Sequence, residues 1–597
     1  MISLADPVSE QRFNRALFVL FSILFLLAPL YYQHNLGGEG LFLPFNNTVW
    51  IAAVFVIAMG LLKLGYSGLV RIPKMTAAIL FFLTVTTLVG AIGTVSEPTS
   101  WMFRSLSIWG GMLLFFSLAQ FRLNRRQRDN LLYILMGSAL LQAIYCLVHL
   151  LALDSPPGWM SQSPGIPRGI FQQQNLAASY LATGLLIAIF LTTVPSFRHR
   201  NLFLKTSVLL CILLSSLVVV TSGSRTGILA AFGGILLICV SRHQQLLRHR
   251  GRSLLLVSVM LGLGILGGSQ IDSKTGGLTQ GLEKLSKASQ TSQDPTRNDV
   301  RRMMYDSSVE LMLEKPVFGH GIGRFQPVWH DKKAQYLTEH RDAAILAPRL
   351  SHPHNELLYW GVEGGLVALS GIAVLALAFL KVSFGLGWQR GGSYLALLLP
   401  ITLHTQVELP FYISQLHWLL FVSLIAIVAT HRVTTKVFQP SRYARACMLG
   451  LGISLPVLAS IFFSHSLLAN RVIFQFNIAK TKSFELLDIP SRNIYFANTA
   501  DFIRMQTLLN YAIKTDNTEI IEEYIRWAEQ RLLQMPDAAL FSGLSFALHH
   551  QGEYQRSYQM MRRGLSIYPT TTLMLSAQKM LQKLDQEKDL PVGVPVE

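Results

Sequence analysis

Cysteine is scarce in this chain. The four present, Cys146, Cys211, Cys239 and Cys447, all lie inside apolar runs. That excludes a disulfide framework, and their spacing fits no metal site. Charge is scarce as well. Only 14% of the 597 residues are charged and 51% are hydrophobic, which excludes an ordinary soluble domain. Acidic residues are the scarcer sign, 33 against 51 Lys and Arg, for a formal net charge of +18. The excess points away from nucleic acid, because it collects in short loops between apolar runs. No cleavable leader is evident, and the first apolar run, which follows Arg12 and Arg15, is expected to be a retained span.

What is present is a series of about thirteen apolar runs, at 16–32, 48–62, 76–93, 101–120, 131–153, 174–194, 206–221, 226–240, 253–269, 356–380, 393–410, 413–430 and 447–468. Crossing the hydrocarbon takes about 20 residues, so the shorter runs are expected to extend at their ends or to cross buried regions. The intervening loops alternate. Residues 1–15, 63–75, 121–130, 196–205, 241–252, 381–392 and 431–446 carry 22 Lys and Arg in all. The short loops of the other side, 33–47, 94–100, 154–173, 221–226 and 404–412, carry 2. Basic loops stay cytoplasmic, so the N-terminus is expected inside and, with an odd number of spans, the C-terminus outside. The two outer cations, Arg168 and Arg225, stand where positive charge is disfavoured.

Two polar segments read as ectodomain. Residues 270–355 form a long outer loop, soft from Thr275 to Thr296 and helix-like from Asn298 to Glu314, where Pro316 ends the helix. Residues 470–597 form the second, following a membrane domain of residues 1–469. From Asp501 to Lys583 they read as amphipathic helices. Gly552, Tyr554, Gly564 and Pro569 fall at tetratricopeptide-like offsets, although an ordinary array of helical hairpins gives the same pattern. The fold class is therefore all-α, a polytopic helical bundle with an outer loop and an outer helical domain.

Candidate chemistry gathers on the outer side. Arg168 lies in an irregular Pro- and Gly-rich loop, followed by Gln172, Gln173, Gln174 and Asn175 at the mouth of a span. Amides there can donate into a cavity beside a positive helix end, while Asn175 as a plain N-cap is the bland alternative. Arg225 sits in the tight hairpin Thr221–Gly227, with snorkelling as its alternative. Arg104, three residues into a span, is a weaker candidate of the same kind, for which snorkelling is the favoured reading. Ser351-His-Pro-His-Asn-Glu places His352, His354 and Asn355 where the long loop meets a span, with Glu356 and Glu363 in its first turns. Neutral imidazole is a good proton acceptor, and an intramembrane carboxylate usually faces a polar cavity. A His-x-His pair without a third nearby ligand falls short of a zinc site. Glu408, in the hairpin His404–Tyr412, is the acid expected to balance the arginines or tune a histidine; a solvated turn is the alternative.

These segments resemble the bacterial superfamily of O-antigen ligases, O-antigen polymerases and protein O-oligosaccharyltransferases over residues 160–430. Pro316-Val-Phe-Gly-His-Gly-Ile-Gly323 resembles its proline, apolar, apolar, glycine, x, glycine segment. Ser224-Arg225-Thr226-Gly227 resembles its arginine motif, and His354-Asn355 followed by Gly365 its histidine motif, with Ala368 replacing a further glycine. Gln173-x-Asn175-x-Ala177, Glu408-Leu-Pro-Phe-Tyr and the helical C-terminal domain are similar to the pilin-glycosylating branch. The resemblance implies a multi-pass bacterial inner-membrane enzyme that moves a glycan from a polyprenyl (undecaprenyl) diphosphate to a hydroxyl on the periplasmic face, with no metal, nucleotide or other cofactor. It implies His354 as general base, with His352 as possible helper, and Arg168 and Arg225 on the diphosphate. Gln173, Asn175, Asn355, Glu408 and Arg104 are expected to bind substrate. The acceptor is expected to be Ser or Thr of a pilin-like protein; lipid A core and a second lipid-linked glycan are the alternatives. A lipid-linked glycan transporter is the non-enzymatic alternative, which the one-sided polar residues and the lack of repeat halves disfavour.

Overall fold

The structure is a computed structural model. It describes residues 7–92, 98–151, 157–248, 251–271, 273–277, 295–339, 350–437 and 440–587. Most of the soft stretch Thr275–Thr296 and most of the 94–100 loop lie outside the described residues.

Thirteen helices stand where the apolar runs are. They are Pro7–Ser22, Pro44–Ser67, Thr76–Ile92, Pro98–Ala119, Arg125–Leu151, Gln174–Thr193, Leu202–Thr221, Arg225–Leu247, Arg252–Gln270, Glu356–Phe384, Trp388–His404, Gln415–Ala429 and Arg442–Ile478. Ten are long and apolar enough to cross a bilayer, counting the first with its π- and 3-10-helical continuation to Leu30. Thr76–Ile92 and Gln415–Ala429 are apolar but shorter, and Trp388–His404 has 17 residues with Pro400 inside. The chain is an all-α, multi-pass membrane protein. Its last long helix runs through 469 and 470 without a break and ends at Ile478.

The chain divides into two compact units. One comprises Met1–Leu83, Leu106–Ser289 and Ile372–Ala479; the other comprises Thr84–Ser105, Gln290–Gly371 and Lys480–Glu597. In the first unit, Gln174–Thr193 is apolar all round and takes the centre, with every residue from Leu176 to Thr193 buried. Small residues set how closely its neighbours approach. A Cβ on Gly184 would stand 2.0 Å from Ala139 Cβ, and one on Gly227 2.6 Å from Ala178 Cβ. Loops 63–75 and 431–446 are joined by a ribbon that the sequence reading missed: Leu69–Pro73 pairs antiparallel with Val433–Val437.

In the second unit, the loop helices Pro295–Glu314 and Phe325–Glu339 close over Met303, Met304, Leu311, Trp329 and Val362. Helices Ala497–Thr515, Thr518–Leu532, Ala538–His550, Tyr554–Ile567 and Thr572–Glu587 form antiparallel hairpins around Leu509, Tyr524, Phe541, Leu544 and Met561. Gly552 makes its turn with φ 79°. Gly564 lets neighbouring helices close in, because a Cβ there would lie 2.8 Å from Phe541 Cβ.

Candidate functional site

The helix that follows His354 is broken. Within Glu356–Phe384, Gly365 takes φ 58° and ψ −159°. A break frees backbone groups that apolar surroundings cannot satisfy. The Pro316–Gly323 segment satisfies them. His320 N–H donates to the Val362 carbonyl at 2.8 Å, and Gly321 N–H to the Glu363 carbonyl at 3.0 Å. Beyond the break, Leu366 N–H donates to Pro316 O at 2.8 Å and Val367 N–H to Val317 O at 3.1 Å. Two backbones this close leave no room for side chains. A Cβ on Gly365 would lie 2.4 Å from Val317 O, and one on Gly319 2.5 Å from Glu363 C. The glycine motif and the glycine after the histidine motif are thus two halves of one joint. His320 pins it: its Nε2–H donates to Leu311 O at 2.9 Å, and burial lowers its pKa.

Glu363 is the polar centre of this joint. It is fully buried, and one carboxylate oxygen meets Arg104 Nη1 at 2.5 Å. The other accepts from Gly323 N–H at 3.0 Å and Phe325 N–H at 3.1 Å, anchoring the start of the Phe325–Glu339 helix. The Arg104 guanidinium lies 4.2 Å from the Tyr359 ring centroid and 4.8 Å from that of Trp360. Its side chain is 8% exposed, which overturns snorkelling, the favoured sequence reading of this residue. Glu363 faces an ion pair and helix N–H groups rather than an open cavity.

His352 and His354 stand at the head of the same helix. Asn355 caps it, its Oδ1 accepting from Leu358 N–H at 3.0 Å. The histidine rings are edge to face, 4.5 Å apart. His354 N–H donates to His352 Nδ1 at 3.3 Å, so the His352 ring proton belongs on Nε2. His354 holds φ 49°, a left-handed backbone rare for a residue with a Cβ.

In the first unit, Arg168 is half-buried before a 3-10 turn, Gly169–Phe171. Gln172 is left-handed at φ 57°, and Gln173 occupies the N-cap of Gln174–Thr193. Asn175 is therefore in the first turn, and its reading as the cap is corrected. Gln173 Nε2 donates to Glu408 at 3.5 Å. Glu408 is 8% exposed, so the solvated-turn alternative fails. Arg225 is the first residue of its helix, after Ser224, whose Oγ accepts from Gly227 N–H at 3.3 Å. A cation at a helix N-terminus adds to the positive end of the macrodipole.

Residues Ser273–Thr275 join the two arginine loops. Lys274 N–H donates to Gly165 O at 3.1 Å, and Thr275 Oγ1 to Thr221 O at 2.8 Å. Gly223, at φ 63°, lets this strap pass, since a Cβ would meet Thr275 O at 3.1 Å. Lys274, whose side chain lies against Gly165, is a third cation that sequence reasoning missed. So was the buried chain beneath the Glu408 turn, in which Ser179 Oγ meets His404 Nδ1 at 2.7 Å and His417 Nε2 at 3.3 Å.

A family model described as O-antigen ligase matches residues 209–373. A second, described as virulence factor membrane-bound polymerase, C-terminal, matches residues 393–580. Together they support placing the chain in the O-antigen ligase superfamily, whose members are ligases or polymerases resembling glycosyltransferases. The family implies a lipid-linked oligosaccharide donor and an acceptor. No curated protein matches the chain.

Proposed function

We propose that this protein transfers a glycan from a polyprenyl-diphosphate carrier to Ser or Thr of a secreted or pilin-like protein, at the periplasmic face of the bacterial inner membrane. The observation that carries the donor half is the Ser273–Thr275 strap, which gathers the loops of Arg168 and Arg225 and adds Lys274. Three cations and a helix N-terminus suit a diphosphate. Each well-placed donor stabilises the departing group by about 3 kcal/mol in the transition state. Gln173, Asn175 and Glu408 bind the substrate beside them.

His354 is the general base, with His352 orienting it and Asn355 beside it. The acceptor oxygen attacks the anomeric carbon and its proton passes to His354. The bond from that carbon to the diphosphate breaks, and polyprenyl diphosphate leaves with the electron pair. Direct displacement inverts the anomeric configuration. Arg104 serves this site through Glu363. The helical C-terminal domain docks the acceptor protein.

A repeat-unit polymerase is the second reading, favoured by the polymerase description of the 393–580 match. The test is purified protein with a defined polyprenyl-diphosphate glycan and a pilin, a lipid A core or a second lipid-linked glycan. Mass spectrometry is expected to find the glycan on a pilin Ser or Thr. Sugar found only on the lipid-linked glycan would replace this reading with the polymerase, and sugar only on lipid A with the ligase.

A further inference from the structure

The opposite end of the first unit buries positive charge with little to oppose it. This end holds the start of Arg125–Leu151, the turn after Gln174–Thr193, the last turns of Arg225–Leu247, the start of Trp388–His404 and His431. Loop charge marks it as cytoplasmic. A charge bias explains basic residues in water, but not arginines folded inward.

Arg200 and Arg242 are 9% and 7% exposed. The Arg200 guanidinium lies 4.7 Å from the Tyr133 ring and that of Arg242 4.8 Å from the Phe190 ring. Arg242 Nε donates to Ser393 at 2.8 Å, and Arg200 Nη2 to the Arg126 carbonyl at 3.4 Å. Among the described residues, the Nε atoms of Arg200 and Arg128 are buried without a hydrogen-bond partner. Among the described residues, Asp129 is the acid within reach, and it already accepts from Ser196 Oγ at 2.7 Å. Arg125, Arg128 and Arg242 all reach the Tyr394 hydroxyl electrostatically, and that hydroxyl meets His431 Nε2 at 3.1 Å. Burial, with Arg128 and Arg125 nearby, holds the His431 imidazole down to about 4, so it adds no charge at neutral pH.

An unmatched buried cation costs several kcal/mol. The ligand that offsets it carries negative charge, offers several acceptor oxygens and reaches the membrane interface. We propose that Arg128, Arg200 and Arg242 form a binding site for the phosphodiester headgroup of an anionic phospholipid, phosphatidylglycerol or cardiolipin, on the face opposite Arg225. A phosphodiester accepts from guanidinium edges while the ring contacts cover the guanidinium faces.

The test uses the full-length protein, stripped of lipid in detergent. Bound lipid is read by native mass spectrometry and stability by thermal melting, with cardiolipin, phosphatidylglycerol, phosphatidylcholine or inorganic phosphate added. The anionic lipids are expected to stay bound and raise the melting temperature, while phosphatidylcholine and phosphate do neither. Arg200→Gln and Arg242→Gln are each expected to weaken that binding about fivefold. Undiminished binding by the double variant, or equal retention of phosphatidylcholine, overturns the proposal. A shift reproduced by inorganic phosphate alone assigns the site to a free anion and overturns the lipid. If the buried variants do not accumulate, Arg128→Gln, nearer the surface, is read by the same outcomes.

Discussion

The backbone of His354 is left-handed, at a cost on the order of 1 kcal/mol for a residue with a Cβ. Asparagine tolerates that conformation but accepts no proton. His354→Asn is therefore expected to fold and bind donor as wild type does while losing about 100-fold or more in transfer rate; a small loss would remove His354 as base. Glu363 plays a structural part, through Arg104 and the N–H groups of Gly323 and Phe325. Glu363→Gln removes the carboxylate charge that pairs with the buried Arg104 and is expected to cost about 3 kcal/mol of stability, read by thermal melting. Pairing Glu363→Leu with Arg104→Met removes both charges. It still leaves Gly323 and Phe325 N–H without their acceptor, so about 1–3 kcal/mol of the loss remains. A double variant as stable as wild type would show that the ion pair, not the helix anchor, is what matters. The sequence marked Glu363 as costly. It did not reveal the partners, since Arg104 and Gly323 are distant along the chain.

Between elements, the joint of Pro316–Gly323 with the broken helix explains why the glycines of two separate motifs belong together. Gly365→Ala forces a Cβ onto Val317 O from a positive φ and is expected to abolish folded, active protein, whereas Ala368→Gly is expected to cost about 1 kcal/mol. Expression and melting of the two variants separate these cases, and a well-folded Gly365→Ala protein would refute the joint. The glycine spacing was legible in the sequence. The close approach that requires it was not, because it depends on backbone pairing between segments far apart in the chain. A second contact between elements carries a pH dependence. Lys333 is fully buried, with Trp329 and Tyr568 beside it, and burial lowers its pKa from 10.5 to about 7. The unfolded chain then holds the extra proton between those values, so this group makes stability rise with pH from about 7 to 10.5 and stay level below. Melting curves across that range should show the slope in wild type and lose it in Lys333→Met; identical slopes would contradict the assignment.

Across the whole molecule, hydropathy was the strongest signal, and a helix stands at each of the thirteen apolar runs. The ends were less legible. Arg442–Ile478 outruns its apolar run of 447–468 because Asn470 and Arg471 are polar but compatible with a helix. The ribbon of Leu69–Pro73 with Val433–Val437 was missed because each strand has only five residues, too few for a strong alternating pattern. The strap at Ser273–Thr275 was missed because three residues at the start of a long loop carry no periodic pattern that marks a contact. The loop-charge contrast yields the claim on which the chemistry rests, that Arg225 and His354 work on one side of the membrane. The direct measurement is labelling of Arg225→Cys and His354→Cys, each in a chain whose four native cysteines are replaced, with a membrane-impermeant thiol reagent on intact cells. Both positions are predicted to label without permeabilisation. Labelling of one only after the membrane is opened would place the two on opposite leaflets and contradict the account.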